Sequence, residues 1–328
     1  MFKGQTILIT GATGSWGYEL TRHLLRHQPK EIRIFSRNEF SQVTMERHFR
    51  SPRLTFIIGD VRERESVLQA CRGVDYVFHL AALKHVPICE MQPDEALKTN
   101  VLGTENVIQA GIRNQVKKVI DVSTDKAVDP VNFYGMTKAF GEKLMIRAND
   151  LTSSTRFVCI RGGNVLGTNG SVVPYFKKQI AEDGEITLTS KMMTRFFLTI
   201  SEAIELLIKA TMESIGGETF VMKMKTCRIL HLAEVLTRNL ATRSVPIKEI
   251  GIRPGEKLHE VLVSANEAPR TYRYSSQYYV ILPSHPTPAL QQRYGSLDKV
   301  RFQTYSSDTD PMSDDEIEAL LRRGGMLP

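Results

Sequence analysis

The chain has 328 residues, 41% of them hydrophobic, enough for one large domain or two modest ones around a real core. Its net charge of +7 comes from 43 basic and 36 acidic residues that are interspersed, as in RERESV and SDDEIEALLRR, with no dense basic tract carrying aromatics, which argues against nucleic acid as a partner. No stretch approaches the roughly 18 consecutive apolar residues of a membrane span, the first residues run straight into a strand pattern with no room for a signal peptide, and Cys71, Cys89, Cys159 and Cys227 are scattered without a CxxC pair, so buried thiols in a reducing cytoplasm are expected, with neither disulfides nor a metal site.

QTILIT (5–10) is an apolar, β-branched run that ends in GATGSWG and passes into the helical pattern YELTRHLLRHQ. EIRIFS (31–36), LTFIIGD (54–60), YVFHLA (76–81), KVIDVST (118–124) and RFVCIRG (156–162) follow, each with a helical stretch before the next. Near-continuous apolar strands separated by helices predict a parallel sheet covered on both faces. Right-handed crossovers then give an α/β, doubly wound Rossmann domain, placed at residues 1–165.

After about residue 165 helices remain (ISEAIELLIKATMES, ILHLAEVLTRNLA), but strands are short and loops carry Gly and Pro. Residues 166–328 are therefore expected to form a smaller, mainly substrate-binding α/β region, some of whose segments return to the Rossmann sheet. The last segment predicts a capped helix, with Ser313 as N-cap, Glu316 three residues on and glycines closing it.

Gly11, Gly14 and Gly17 stand directly after the first strand and at the start of a helix. Small residues there let the backbone approach a pyrophosphate, whose charge suits a helix N-terminus. Thr13, Ser15 and Trp16 between the glycines, and Ala81 after the fourth strand, complete the expected dinucleotide contacts. The second strand ends in Ser36 and Arg37, where an NAD site usually has an acid. A hydroxyl and a guanidinium suit a 2′-phosphate, so NADP is the expected cofactor. Asp60 and Val61 sit where an adenine amino group is contacted, or Asp60 caps the helix beginning at Glu63. A pocket for two phosphorylated nucleotides accounts for part of the excess positive charge.

VSTDKAVDPVNFYGMTK (122–138) holds the densest proton-transfer chemistry. Tyr134 and Lys138 are i and i+4 on one helix face. A nearby ammonium and an oxidised nicotinamide favour phenolate, which makes Tyr134 a base for a sugar or alcohol hydroxyl. Thr124, at the end of the fifth strand, can share the substrate's hydrogen bond.

TGATGSWG, YGMTK and the strand order resemble the extended short-chain dehydrogenase/reductases, and SRNE, AALKHVP, STDKAVDPVNFYGMTK, GSVVP, MTRFF and RPGEK narrow the resemblance to the soluble inverting UDP-N-acetylglucosamine 4,6-dehydratases (5-epimerising) of bacterial surface-sugar pathways. The resemblance implies that Asp125 is the acid at the C6 hydroxyl and that Lys126, where retaining dehydratases carry Glu, is the acid/base at C5. A neutral Lys126 is needed during part of the cycle, which calls for a pKa lowered by burial or by Lys138. The resemblance further implies a UDP-sugar substrate held by Lys84, Asn164, Arg195 and Arg253, tightly bound NADP regenerated each cycle, and a homo-oligomer, dimer or hexamer. His85 is expected to be structural and Lys177–Lys178 to form a wet helix face. Membrane-anchored relatives carry a large N-terminal extension not seen here, so a soluble protein is expected. Two departures stand out: Gly162–Gly163 precede Asn164 where the family often has an aromatic, and Trp16 replaces a smaller aromatic. The rival readings are a retaining dehydratase, a UDP-sugar 4-epimerase, which needs no acid/base pair for C5 and C6, and a non-catalytic NADP-binding regulator.

Overall fold

The computed structural model describes residues 1–168 and 170–328. In chain order its strands are β1 (Thr6–Thr10), β2 (Glu31–Ser36), β3 (Leu54–Ile58), β4 (Tyr76–His79), β5 (Lys118–Thr124), β6 (Arg156–Gly162), β7 (Asn164–Val165), β8 (Ile186–Leu188), β9 (Thr194–Leu198), β10 (Thr219–Met222), β11 (Lys225–Arg228), β12 (Ile247–Glu249), β13 (Val261–Val263), β14 (Thr271–Arg273), β15 (Tyr278–Ile281) and β16 (Tyr305–Ser306). The main sheet has nine strands in the order β14-β15-β10-β6-β5-β4-β1-β2-β3. From β10 across to β3 neighbouring strands are parallel, and β15 and β14 close the edge antiparallel to their neighbours.

Alternation along each strand explains why this sheet is covered twice. Ile7, Ile9, Ile120, Val158 and Ile160 pack on one face with Leu20 and Leu24 of the helix Ser15–Arg26 and with the helix Ile200–Glu213. Leu8, Val119, Phe157 and Cys159 face the other way, toward the helices Arg64–Ala70, Gly103–Arg113 and Phe133–Ala148. All four cysteines are free and buried. Strand order reverses between β1 and β4, and ligands bind at such a switch point, at the carboxyl ends of the strands. Buried His79 bridges that junction between the hydroxyls of Thr10 (2.8 Å) and Thr104 (3.1 Å), and burial pulls its pKa down to about 4, so it is a neutral core strut.

Three strands from beyond residue 166 (β10, β14 and β15) complete this sheet. The remaining segments build their own core, in which the helices Val172–Lys178, Ile229–Leu240 and Asp314–Arg323 pack with β8 and β9. The last helix has the expected capping box, Ser313 with Glu316, and Gly324–Gly325 follow it.

A buried ion-pair triad joins these layers. Arg161 on β6 donates to Glu142 of the helix Phe133–Ala148 (3.0 and 2.6 Å), to Glu267 (3.0 and 3.1 Å) and to the Leu262 carbonyl (2.8 Å). Removing the cation strands two carboxylates in the interior, so Arg161→Ala is expected to lower stability by about 3–5 kcal/mol. Denaturant unfolding checks this; a loss below about 1 kcal/mol would mean that the triad behaves like a surface pair.

Candidate active site

Every residue the sequence nominates, Asp125 excepted, borders one cleft of about 1200 Å³ at the carboxyl edge of the sheet. Its first wall is a glycine cradle. Gly11 has φ +66°, and a Cβ on it would lie 2.8 Å from the Ala81 backbone; a Cβ on Gly17 would lie 2.3 Å from the Ala12 carbonyl. Only glycine lets β1 pass so close to the end of β4 while the helix Ser15–Arg26 presents its N-terminus, with Thr13, Gly14, Ser15 and Trp16, to the cleft. This is the shape a pyrophosphate requires, and the residues present fit a dinucleotide.

Beyond β2 the cleft is bordered by Ser36, Arg37, Asp60 and Val61. Arg37 is exposed and its guanidinium lies 3.9 Å from Asp60, whereas the Ser36 hydroxyl accepts a bond from Gln42 (3.0 Å). Asp60 does not cap the following helix, whose N-cap is Glu63; its carboxylate accepts from the Arg62 backbone (3.0 Å) and guanidinium (2.8 and 2.6 Å). Burial pushes the Asp60 pKa up, but the Arg62 bonds and charge, with Arg37, bring it below the ordinary value.

The chemistry-bearing loop leaves β5 at Thr124, whose side-chain oxygen accepts from the Lys126 backbone N–H at 3.4 Å. Asn132 starts the next helix by accepting from Gly135 N–H (2.7 Å). A Cβ on Gly135 would lie 2.2 Å from the Lys126 carbonyl, so glycine is what lets the helix and the loop meet. Tyr134, Lys138 and Glu142 then fall on the buried face. The Lys138 ammonium binds Asp121 of β5 (3.0 and 3.2 Å). Asp121 and Tyr134 offset its desolvation and hold its pKa above the usual value.

Burial and neighbouring carboxylates set two proton affinities in the protein alone that spacing does not give. Tyr134 is nearly buried, and desolvation raises its phenol pKa more than Lys138, Lys126 and the Thr124 hydrogen bond lower it, with Asp125 raising it further. Lys138 is itself neutralised by Asp121, which weakens its pull on the phenol. Lys126 is also raised, not lowered: burial works against its charge, but the carboxylates of Asp125 and Glu260 outweigh both burial and the Arg195 guanidinium.

Asp125 is fully buried, immediately beneath the cleft. Its Oδ1 accepts from the Thr124 hydroxyl (2.9 Å) and from Lys126 Nζ (3.1 Å), while Oδ2 is buried without a partner among the described residues. A Cβ on Gly163 would stand 3.3 Å from Oδ2 and 2.7 Å from Phe196 Cβ. Gly163, which borders the cleft, therefore packs directly on Asp125, whereas the place of the aromatic residue is taken by Gly162, beside Met222.

The substrate side comes from the second half of the chain and from Lys84, whose pKa is lowered by burial and by Lys126. Asn164 borders the cleft at the start of β7. Arg253, exposed at the mouth, lies in a turn with Gly255 at φ +79° and Glu256 accepting from the Arg253 N–H (3.4 Å). That turn is tied to the chemistry-bearing loop: Asn132 donates to the Gly255 carbonyl (2.8 Å) and Lys257 to the Val128 carbonyl (2.5 Å). Arg195 also reaches the cleft, but its terminal nitrogens donate to the carbonyls of Thr194 (2.7 Å), Leu258 (3.1 Å) and Lys257 (2.9 Å), so it anchors this segment more than it offers an open phosphate ligand. His85 is not interior; it is exposed on the cleft wall against Gly170. Lys177 donates to the Met326 carbonyl (3.0 Å), and Lys178 pairs with Glu182 (3.6 Å) while bordering the cleft.

Two participants escaped the sequence reading. Glu260 is buried, with Oε1 3.5 Å from Lys126 Nζ; the only signal was an acid one turn beyond RPGEK. Asn100, in a π-helical turn (Lys98–Leu102), binds both the N–H (2.8 Å) and the carbonyl (2.9 Å) of Leu83 and donates to Thr137 (3.0 Å), fixing the loop that carries Lys84 against the Tyr134 helix. Among the described residues no acid, His and Cys cluster is arranged to hold a metal ion, and no helix is long and apolar enough to cross a membrane.

A glycine-cradled parallel sheet bearing Thr124, Tyr134 and Lys138 on one cleft defines an extended short-chain dehydrogenase/reductase. Comparison with known proteins refines this. A protein named UDP-N-acetylglucosamine 4,6-dehydratase (inverting), from Campylobacter jejuni subsp. jejuni, is 43% identical over 98% of this chain and 97% of its own length. The X-ray structure of Pen from Bacillus thuringiensis superposes with a TM-score of 0.92 at 37% identity, covering 100% of both chains. A UDP-glucose 4-epimerase from Rickettsia akari is 45% identical, over 81% of this chain and 80% of its own. The polysaccharide biosynthesis protein family matches residues 7–282, and the chain belongs to it, on the branch of the inverting UDP-N-acetylglucosamine 4,6-dehydratases.

Proposed function

We propose that this enzyme dehydrates UDP-N-acetylglucosamine to a UDP-4-keto-6-deoxy-hexosamine with inversion at C5, for bacterial surface-sugar synthesis. One observation carries the reading: an amine and a carboxyl, Lys126 and Asp125, share a 3.1 Å hydrogen bond beside the Tyr134 phenol at the dinucleotide cleft. A 4-epimerase has no task for that pair, and a regulator has none for the phenol.

Tyr134 takes the C4 hydroxyl proton, with Thr124 sharing the hydrogen bond. Bound nicotinamide supplies a hydride acceptor for C4 and a hydride donor for C6. The 4-ketone acidifies the C5 hydrogen. Lys126 rests as an ammonium against the Asp125 carboxylate; moving one proton across their hydrogen bond makes a neutral amine and a carboxylic acid. The amine takes the C5 proton, the acid gives its own to the C6 hydroxyl, and water leaves. The pair is then again ammonium and carboxylate; a proton drawn from solvent adds to C5 from the opposite face and inverts that centre, and Tyr134 returns the C4 hydroxyl's proton to solvent.

Arg37 at the end of β2, with no acid in its place, supports NADP. The reduced thiols support a cytoplasmic location. Leu97, Leu102, Met136 and Phe140 are exposed on adjoining helical segments and supply an apolar face for a second copy, in a dimer or hexamer.

Purified protein incubated with UDP-N-acetylglucosamine in D₂O, without added cofactor, is expected to give a 4-keto-6-deoxy product with deuterium at an inverted C5. Denaturation should release NADP, and light scattering should return a multiple of the 37.1 kDa chain mass. A C4 epimer with no loss of water would establish the epimerase instead. Released NAD, or a monomer, would overturn the corresponding part.

A further inference from the structure

We propose that Glu260 is a positioning residue of this site: its carboxylate fixes the Lys126 ammonium against Asp125 and keeps the proton of that pair from escaping to solvent. The turnover part of this inference rests on the dehydratase reading above.

Glu260 is only 2% exposed, yet it borders the cleft. A buried carboxylate is costly unless charges and hydrogen bonds hold it. Its Oε1 lies 3.5 Å from Lys126 Nζ and 3.7 Å from Arg195 Nε, and its Oε2 is buried with no hydrogen-bond partner among the described residues. A carboxylate placed only for structure would be gripped by Arg195 at both oxygens. Here the terminal nitrogens of Arg195 are held by backbone carbonyls, and Glu260 shares one oxygen, Oε1, between Lys126 Nζ and Arg195 Nε.

Its backbone is immobilised. Glu260 N–H donates to the Ser307 hydroxyl (2.9 Å), Ser307 N–H returns a bond to the Glu260 carbonyl (2.8 Å), and the Ser307 hydroxyl donates to the Thr194 carbonyl (3.1 Å). The carboxylate is therefore presented from a fixed frame spanning β9 and β16.

The charged and titratable groups around Lys126 are Asp125 from the same loop, Tyr134 from the following helix, Lys84 from the loop after β4, Arg195 from β9, and Lys257 and Glu260 from the segment before β13. Loss of the Lys126 proton to water would remove the cation that stands between the two carboxylates, Asp125 (3.1 Å) and Glu260 (3.5 Å), and change the net charge of the cluster. Transfer of the same proton to Asp125 leaves that net charge unchanged. Glu260 thus closes the wasteful route and leaves open the one that arms both the C5 base and the C6 acid.

The sign of the test follows. A carboxylate raises the proton affinity of the amine beside it, so removing its charge should make the pair lose its proton at lower pH. Glu260→Gln keeps the shape and removes the charge. The alkaline limb of kcat against pH should move toward neutrality by about 1–3 units, while NADP binding, read from Trp16 fluorescence, stays as in the wild type. Glu260→Asp keeps the charge and should leave the limb near its wild-type position. The midpoint of Lys126 acetylation against pH, read by mass spectrometry, should move with the limb.

A lower kcat with limb and acetylation midpoint unmoved would reduce Glu260 to a structural residue and overturn the proposal, as would full activity at every pH. If the wild type shows no turnover, the dehydratase reading fails, and the acetylation midpoints alone decide the role of Glu260. If Glu260→Gln does not fold, Glu260→Asp and the wild type decide it: a wild-type Lys126 midpoint at or below that of exposed lysines overturns the proposal.

Discussion

Replacing Lys126 by alanine should stop dehydration while leaving the first oxidation running. On the mechanism proposed above the variant lacks the C5 base, so formation of the 6-deoxy product is expected to fall about 10²–10⁴-fold, the usual worth of a positioned acid/base group. Tyr134, Thr124 and the glycine cradle are untouched. Mixing the NADP-loaded variant with substrate should therefore give a stable rise in reduced-nicotinamide absorbance and an undehydrated 4-keto sugar. The wild type is expected to pass through that state and return. Two buried carboxylates, Asp125 and Glu260, also lose their shared cation, so thermal unfolding must accompany the kinetics. A variant that unfolds shows neither product nor reduced cofactor, and one that dehydrates normally removes Lys126 from the C5 step.

The Rossmann half was legible because its strands are buried on both faces. Runs such as TILIT and the FVCI of β6 are continuous in apolar or β-branched residues, and the expected spans of β2, β5 and β6 match the observed ones. The second half was harder for a physical reason. β9, TRFFL, is buried at all five positions, yet it contains a Thr and an Arg, and its partners β7 and β11 lie far off in sequence. β10 has four residues between a glycine pair and Lys223, too short to show a period, although it pairs with β6 in the main sheet. Residues on loops that directly follow Rossmann strands could be nominated together because the topology itself delivers them to one edge, where they border the same cleft. Glu260 was not: it arrives from about 135 positions along the chain, carried by tertiary bonds such as Lys257 to Val128 and Ser307 to Thr194.

The proton affinities show the same limit. From the spacing of Tyr134 and Lys138 alone, an ammonium one helical turn away lowers the phenol pKa. The folded protein adds two facts that reverse the sum: the phenol is almost wholly desolvated, and Asp121 binds the ammonium. Asp121 sits mid-strand in an otherwise apolar run, which reads as a strand imperfection until its partner is seen. In this state the phenol keeps its proton at neutral pH. The positive charge of a bound oxidised nicotinamide would favour the phenolate, whereas the Lys138 ammonium is already offset by Asp121.

The second large effect is expected from Tyr134→Phe. The ring and its packing remain, the C4 hydroxyl loses its proton acceptor, and turnover should drop by about 10²–10⁴-fold. The block falls earlier than in Lys126→Ala. No reduced nicotinamide should appear, and no deuterium should enter C5 from D₂O, because the C5 hydrogen becomes acidic only after the ketone forms. KM should change little, since Thr124 and the residues around Arg253 that border the cleft are unchanged. The wild-type rate should climb with pH as the phenol, raised by burial, gives up its proton more readily, and that rising limb should vanish in the variant. The two substitutions thus separate the steps, one stalling with the cofactor reduced and the other before it is touched. Reduced cofactor formed by Tyr134→Phe at the wild-type rate would show that another group takes the C4 proton.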